Sequence, residues 1–596
     1  MYNFKIKQII TNNGTAIIPK SINIIIGPNN SGKSQFLKDI KNSLSSHNYL
    51  NKKNITIRDM EYILPKNKEE FISRYNLHSK IFSNSDNQYY IRNYSGIYDN
   101  NIIVSNPASN YLDTGNISIT PNWEIDLQRQ ITNFDHFICN DEKIIDGENY
   151  PQNAIIHNER YIEIEENGKK VRKTIAGSEG PLYEEKGASI KNFINLYGNL
   201  FFNYLGTEEK LLMCKRQKQY GLQDHNTNFL SEVQFNSKLL DELSNYTKTM
   251  FNKDIYLDRF SWGESILFRV GDNFNFIRNA KRNDNEAEIK LKDYNALDNE
   301  GDGIKSFVTN YIALNMNDKN ILLLDEPESF LHPPLAKQLG EIIAKSSSEN
   351  KQIFISTHSA DLLKGILSVN KDVNIIRITR DKEFNQFNLL KKEAIEQIIS
   401  NPMLLSSNIL NGLFCEKVYI CEAESDEEFF QSLHDKINLY DNAFFTHGKN
   451  KQTLKDISKI YNTLSIPNYR IYDFDILKDE DFNKALNTFI NEQEKNKYIE
   501  IRKKVNEVLK EESYANGGIN DIKEDELRNM VINMFNDLKK SKIIILEYGC
   551  LESTLDDLGI KYTKNRNKWF EKAMGLVYES SNDIIESSNI YKWIFK

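Results

Sequence analysis

Near the N-terminus an apolar run, Ile22 to Ile26, leads into Gly27-Pro28-Asn29-Asn30-Ser31-Gly32-Lys33-Ser34 and then into a helix-forming stretch. The pattern of glycine, four residues and glycine-lysine-serine is that of a phosphate-binding loop. Its glycines let consecutive backbone N–H groups turn inward around a phosphate, and the helix behind adds the positive end of its dipole. Lys33 then bridges the β- and γ-phosphates of ATP, and the Ser34 hydroxyl ligates the accompanying Mg²⁺. A strand, this loop and a helix in that order commit the N-terminal part of the chain to an α/β fold.

Two later strands complete such a site. Ile321-Leu322-Leu323-Leu324 runs into Asp325-Glu326-Pro327-Glu328, which delivers Asp325 to the Mg²⁺ shell and Glu326 to the attacking water. Ile353-Phe354-Ile355-Ser356 runs into Thr357-His358-Ser359, where His358 can hydrogen-bond a γ-phosphate oxygen. A helix expected over about 334–346 separates them, and this strand–helix–strand order implies parallel strands.

A second set of acids follows. Val418-Tyr419-Ile420-Cys421 ends at Glu422, and Asp426 lies four residues on, at the start of an acidic helix over 425–436. Arg470-Ile471-Tyr472-Asp473-Phe474-Asp475 puts two carboxylates on one face of a second strand end, since i and i+2 share a face. A third strand, Ile543 to Leu546, leads to Glu547-Tyr548-Gly549-Cys550-Leu551-Glu552. Grouped carboxylates repel unless cations neutralise them, and hard oxygen ligands suit Mg²⁺ or Mn²⁺. Two such ions at a phosphodiester activate water and stabilise the leaving oxygen.

Composition narrows the partners. A net charge of −8 excludes a general polyanion binder, so nucleic acid must be met by a local basic surface or through metal ions. No run approaches the roughly 18–20 apolar residues of a membrane span. Met1-Tyr2-Asn3-Phe4-Lys5 lacks the start of a signal peptide, and the cysteines at 139, 214, 415, 421 and 550 show no paired spacing. The expectation is a reduced, cytoplasmic setting.

Strands are expected at 3–10 and 22–26, and helices at 33–46, 228–252 and 304–316. The stretch 50–190 is rich in Asn, Ser, Tyr and Asp, with short β-like runs such as Tyr161-Ile162-Glu163-Ile164, and reads as an inserted lobe. A change of character near Asn401-Pro402 sets a first domain at 1–400 and a second at 401–596, the second carrying a charged helical insertion at about 480–540.

The first motif set resembles the ABC-type ATPases, in the branch that includes SMC, Rad50, RecF and the OLD family. In that branch a signature loop reaches the γ-phosphate of a second subunit. The best match is Glu300-Gly301-Asp302-Gly303-Ile304-Lys305-Ser306-Phe307, which lacks the usual serine and leaves the contact to backbone N–H groups around Gly301 and Gly303. The acids resemble the Toprim domain of topoisomerases, primases and OLD nucleases, with Ala423 where a glycine is usual. That likeness implies Glu422, Asp426, Asp473, Asp475 and Glu552 as metal ligands, with Glu422 and Asp473 catalytic. His447-Gly448-Lys449-Asn450 is similar to a glycine-lysine turn of that family, and its downstream lysine corresponds to Lys564, Lys568 or Lys572.

The resemblance implies an ABC-type α/β ATPase domain with an inserted, partly β and partly helical lobe, followed by a smaller α/β Toprim domain. It implies ATP and Mg²⁺ or Mn²⁺ as cofactors, DNA as substrate, and a homo-oligomer, with a pairing segment within 190–255. Many OLD relatives serve bacterial anti-phage defence, Gabija-like or retron-associated, where partners include a helicase, or a reverse transcriptase with its msDNA. Two other readings stand beside this one: an ATP-driven sensor or scaffold with an inert Toprim lobe, and a Toprim toxin acting on tRNA.

Overall fold

In a computed structural model the chain forms two compact units, one of residues 1–25 and 32–375, the other of residues 26–31 and 376–596. The structure describes residues 4–45, 54–63 and, apart from short interruptions, 201–596; between 64 and 200 it describes short strands and isolated residues only. Lys449 and Lys564 lie outside the described residues.

The first unit is organised by a parallel sheet in the order Phe202–Leu205, Ile321–Asp325, Gln352–Ser356, Ile22–Ile26. Ile22, Ile24, Ile25 and Ile26 are completely buried, as are Ile321, Leu322, Leu323 and Leu324. Continuous apolar runs of this kind are what a sheet covered on both faces demands. Helices Lys33–Leu44, Asp302–Asn315, Pro333–Lys345 and Ala360–Val369 fall close to or on the segments whose periodicity predicts them, or follow the strand that ends at Ser356. A separate antiparallel sheet pairs Lys5–Thr11 with Ala16–Ile17 and Ile57–Ile63.

The single helix expected over 228–252 is two, Phe229–Val233 and Ser237–Phe251. The break has a local cause: Asn236 leaves the helical region and its side chain accepts a hydrogen bond from the Leu239 N–H at 3.1 Å, capping the second helix. Within 50–190, Tyr161–Glu166 lies in a strand, paired antiparallel with Lys169–Thr174.

The second unit holds a four-stranded parallel sheet in the order Ala443–His447, Lys417–Cys421, Asn468–Tyr472, Ile543–Ile545. Helices Glu424–Ile437 and Lys451–Thr463 connect its first three strands. The long connection to the last strand is helical at Asp481–Leu486, Glu492–Val508 and Asp525–Lys540. Phe429, Phe430, Leu433, Ile544, Trp569 and Tyr591 are among the residues of its buried core. The chain leaves Lys417–Cys421 toward one edge of the sheet, then returns to add Asn468–Tyr472 on the other side. That reversal opens a crevice at the carboxyl ends of these two strands, where α/β sheets of this kind bind ligands.

Candidate active sites

In the first unit, Asp325 closes its strand beside the first turn of helix Lys33–Leu44. Its Oδ1 accepts a hydrogen bond from Ser34 Oγ at 2.8 Å and another from Ser356 Oγ; its Oδ2 accepts from the Tyr204 hydroxyl at 3.2 Å. Ser34 and Asp325, the two residues expected to share a Mg²⁺ ion, are therefore side by side.

Glu326 follows in the left-handed region, at φ 48°, with its N–H donating to the Ser356 carbonyl at 2.9 Å. Its Oε1 stands 3.4 Å from His358 Nε2. Burial pushes the Lys33 amine down to about 8, against the pull of Glu326, Asp325 and Glu328. Burial, and then the Lys33 charge, lower the affinity of His358 for a proton. Glu328 is enclosed, its Oε1 accepting from Thr357 Oγ1 at 2.6 Å and the His358 N–H at 3.0 Å, and burial raises its pKa. Glu328 thus ties the Asp-Glu-Pro-Glu turn to the Thr-His-Ser turn.

Gly301 caps helix Asp302–Asn315 and Gly303 lies in its first turn. A side chain at Gly303 would meet the Phe330 carbonyl at 2.8 Å, so the signature-like segment sits directly against the residues that follow Glu328.

The phosphate loop has the backbone its sequence requires. Gly27 adopts φ 144°, and a Cβ there would stand 2.0 Å from the Ile378 carbonyl oxygen, so no other residue fits. Asn30 and Gly32 also take positive φ, 60° and 95°. Asn29 is exposed, the Ser31 carbonyl accepts from Asn385 Nδ2 at 2.6 Å, and Ser31 Oγ is buried without a hydrogen-bond partner. A turned backbone, the buried Ser31 hydroxyl and Lys33 two residues after it fit the phosphates of a nucleotide.

In the second unit, oxygens of Glu422, Asp473 and Asp475 all lie within 4.8 Å of one another. Glu422 follows strand Lys417–Cys421 and Asp473 follows strand Asn468–Tyr472, which puts them at the crevice. Glu422 Oε1 accepts from the Asp473 N–H at 3.1 Å, and Lys451 Nζ stands 2.6 Å from Asp475 Oδ1. Burial pushes the Glu422 carboxyl up to about 8, Asp475 and Asp426 adding to the rise while Lys451 opposes it. Asp473 is held well above the usual carboxylate range by burial, then by Glu422, Asp426, Asp475 and Glu552. Hard oxygen donors this close, three acids to one lysine, fit a divalent cation.

Asp473 and Asp475 do not meet across a strand face as expected. The strand stops at Tyr472, Asp473 caps the 3₁₀ turn Phe474–Leu477, and Asp475 lies within that turn. The Phe474 N–H donates to the Gly549 carbonyl at 2.8 Å, so the loop after strand Ile543–Ile545 draws the chain into the turn.

Asp426 is buried and accepts from the Ala423 N–H at 3.2 Å, which makes it a brace for the Glu422 turn. Glu552 opens the short helix Leu551–Thr554; its charge acts on Asp473 and helps burial push the Cys550 thiol up to about 12. Neither acid belongs to the three-carboxylate group. Lys568 is exposed on helix Arg566–Glu579.

Sequence reasoning missed three groups. Lys451 begins helix Lys451–Thr463, two residues after Lys449 in the sequence. Tyr204 sits in a four-residue strand with no period of its own. Lys210, on helix Thr207–Leu212, is completely buried and donates to the carbonyl oxygens of Asp325 at 2.9 Å and Glu326 at 2.5 Å. Nothing in Glu208-Glu209-Lys210 distinguishes it from a solvated charge run.

Residues 215–364 match the family model described as AAA domain, putative AbiEii toxin, Type IV TA system. That range holds Gly301, Gly303, Asp325, Glu326 and His358, and leaves out the phosphate loop. The chain is 28% identical over 169 residues to the Old nuclease of Escherichia phage P2. The match spans 27% of this chain and 28% of that protein's length. Among solved structures, the Smc head bound to the C-winged helix domain of ScpA aligns with 66% of this chain and 98% of its own, at 12% identity and TM-score 0.31. An Smc head domain with coiled coil and joint from Pyrococcus yayanosii aligns with 28% of this chain and 30% of its own, at 12% identity and TM-score 0.21. The chain is thus similar to the Old nuclease over about a quarter of its length, and the matched AAA-domain model covers the segments that carry Asp325, Glu326 and His358.

Proposed function

We propose that the chain is an ATP-regulated, divalent-metal-dependent DNA endonuclease of the OLD type, acting as an effector of bacterial anti-phage defence. The observation that carries the reading is the cluster of Glu422, Asp473 and Asp475 at the crevice of a parallel sheet, in a chain that also holds a phosphate loop. The second unit is the Toprim-type nuclease domain in this reading, and the first holds most of an ABC-type ATPase.

Glu422, Asp473 and Asp475 would hold Mg²⁺ or Mn²⁺, which supplies Lewis-acid polarisation of the scissile phosphodiester. The chain's own groups prepare that seat. The Asp473 N–H fixes Glu422 Oε1, leaving Oε2 as the oxygen that would meet a cation. Lys451 orients Asp475 and offers positive charge to a phosphate oxygen. In the first unit Ser34 and Asp325 would hold the Mg²⁺ of ATP, Lys33 the phosphates, and Glu326 the attacking water, with His358 reading the γ-phosphate. Completion of that site by Gly301 and Gly303 of a second copy makes the active form a homo-oligomer. The defence role, and a helicase or a reverse transcriptase with msDNA as partner, rest on the family resemblance.

The test is cleavage. Protein purified from phage-challenged cells should cut plasmid or phage DNA with Mg²⁺ or Mn²⁺ and stop in EDTA. Protein that protects cells from phage while cutting no DNA under any ATP or metal condition would instead support the sensor or scaffold reading, and cleavage confined to tRNA would support the toxin.

A further inference from the structure

A fully buried lysine needs a reason, because an ammonium taken out of water is costly unless good partners answer it. Lys210 is such a residue, and it lies on no motif. Its ammonium donates to two consecutive main-chain oxygens, those of Asp325 and Glu326. The charges that favour it are, in order, Glu328, Asp325, Glu326 and Glu209, while burial lowers its pKa to about 8. Three of these acids belong to the Asp325–Glu328 turn, and Glu209 precedes Lys210 on its own helix.

The turn is one that needs holding. Glu326 is not glycine, yet it takes φ 48°, in the left-handed region that such residues rarely adopt. Charge-assisted hydrogen bonds to the carbonyls on both sides of its Cα fix the two peptide planes, and with them the direction of its side chain. The lysine is itself anchored. Thr309 Oγ1 donates to the Lys210 carbonyl at 2.7 Å and lies 2.9 Å from Cys214 Sγ. The neighbouring Asn310 Nδ2 donates to the Pro327 carbonyl at 3.1 Å. Both residues lie on helix Asp302–Asn315, which begins at the signature-like glycines, so one helix fixes the lysine and the turn together.

We propose that Lys210 is a positioning residue for ATP hydrolysis, its buried ammonium gripping the Asp325 and Glu326 carbonyls so that the Glu326 carboxylate faces the attacking water. The proposal rests on the reading of Glu326 as the group that orients that water.

A purely structural lysine would lower stability without singling out the chemical step, and kinetics of the full-length protein separate the two. With Lys210→Met, ATP affinity should stay within about threefold while kcat falls on the order of a hundredfold, the usual loss when a catalytic group is misplaced by an ångström. In a Glu326→Gln background the same substitution should lower the rate by less than about twofold, because groups that act as a unit are not additive. If Lys210→Met does not fold, Lys210→Gln, which keeps a neutral donor, carries the same measurements. A wild-type kcat in the single variant, or an equal fold-loss in both backgrounds, overturns the proposal and leaves the ATPase reading standing. A wild type that binds ATP but never hydrolyses it, with or without DNA, overturns both.

Discussion

The Glu422 carboxyl should make stability depend on pH in a direction opposite to that of an ordinary paired acid. Its folded-state pKa is about 8 against an ordinary 4.5, with burial as the first cause. Below the ordinary value both folded and unfolded chains hold the proton, and the group contributes nothing. As pH rises toward about 8 the unfolded chain ionises while the folded one stays protonated, so stability falls; above that it levels off. At about 1.4 kcal/mol per unit, the loss reaches at most about 5 kcal/mol, and Lys451 and solvent at the crevice reduce it. Denaturant unfolding in EDTA, followed by a probe in the second unit at pH 5, 6, 7 and 8, should show the decline. Glu422→Gln should remove the part that Glu422 contributes and weaken the part from Asp473, which burial still raises. Mg²⁺ should also flatten the curve, by favouring the ionised carboxylates. Parallel wild-type and Glu422→Gln curves over that range would refute the reasoning, since the strain would then lie elsewhere.

Other outcomes follow from the same contacts. Lys33→Ala should abolish ATP binding or hydrolysis, read by nucleotide titration, whereas Glu326→Gln should bind ATP and turn it over slowly. Trp569→Ala should cost about 3–5 kcal/mol in unfolding measurements, because Trp569 is almost fully buried in the core of the second unit. Light scattering with and without ATP should report a dimer or larger assembly; a monomer under both conditions would contradict completion of the ATP site by a second copy.

The residues legible in the sequence are those whose chemistry dictates their spacing. The phosphate loop is a local device, and Gly27, Gly32, Lys33 and Ser34 must be neighbours for it to work. Asp325, Glu326 and His358 stand at the ends of long apolar runs, and those runs announce buried strands. Glu422 and Asp473 are legible for the same reason. For Asp475 the expected geometry fails: the Gly549 carbonyl holds the chain in a turn where the sequence predicts a continuing strand. Lys210, Tyr204 and Lys451 were not legible, because what makes each matter is a partner distant in sequence. Lys210 reaches Asp325 from 115 residues away, and no pattern around it marks the pairing. Strand Ala443–His447 likewise takes its place from register with Lys417–Cys421 rather than from any period in five residues.

The central claim is that Glu422, Asp473 and Asp475 cut DNA under the control of a separate ATP site. The most direct measurement compares wild type, Glu422→Ala and Asp473→Ala for Mg²⁺-dependent DNA cleavage and for ATP hydrolysis, in the same preparations and with the native trigger present. The account predicts that either substitution removes cleavage and leaves ATP hydrolysis within about twofold of wild type, because losing one carboxylate removes a ligand and the charge that holds a second cation. Cleavage that persists in both variants would contradict it.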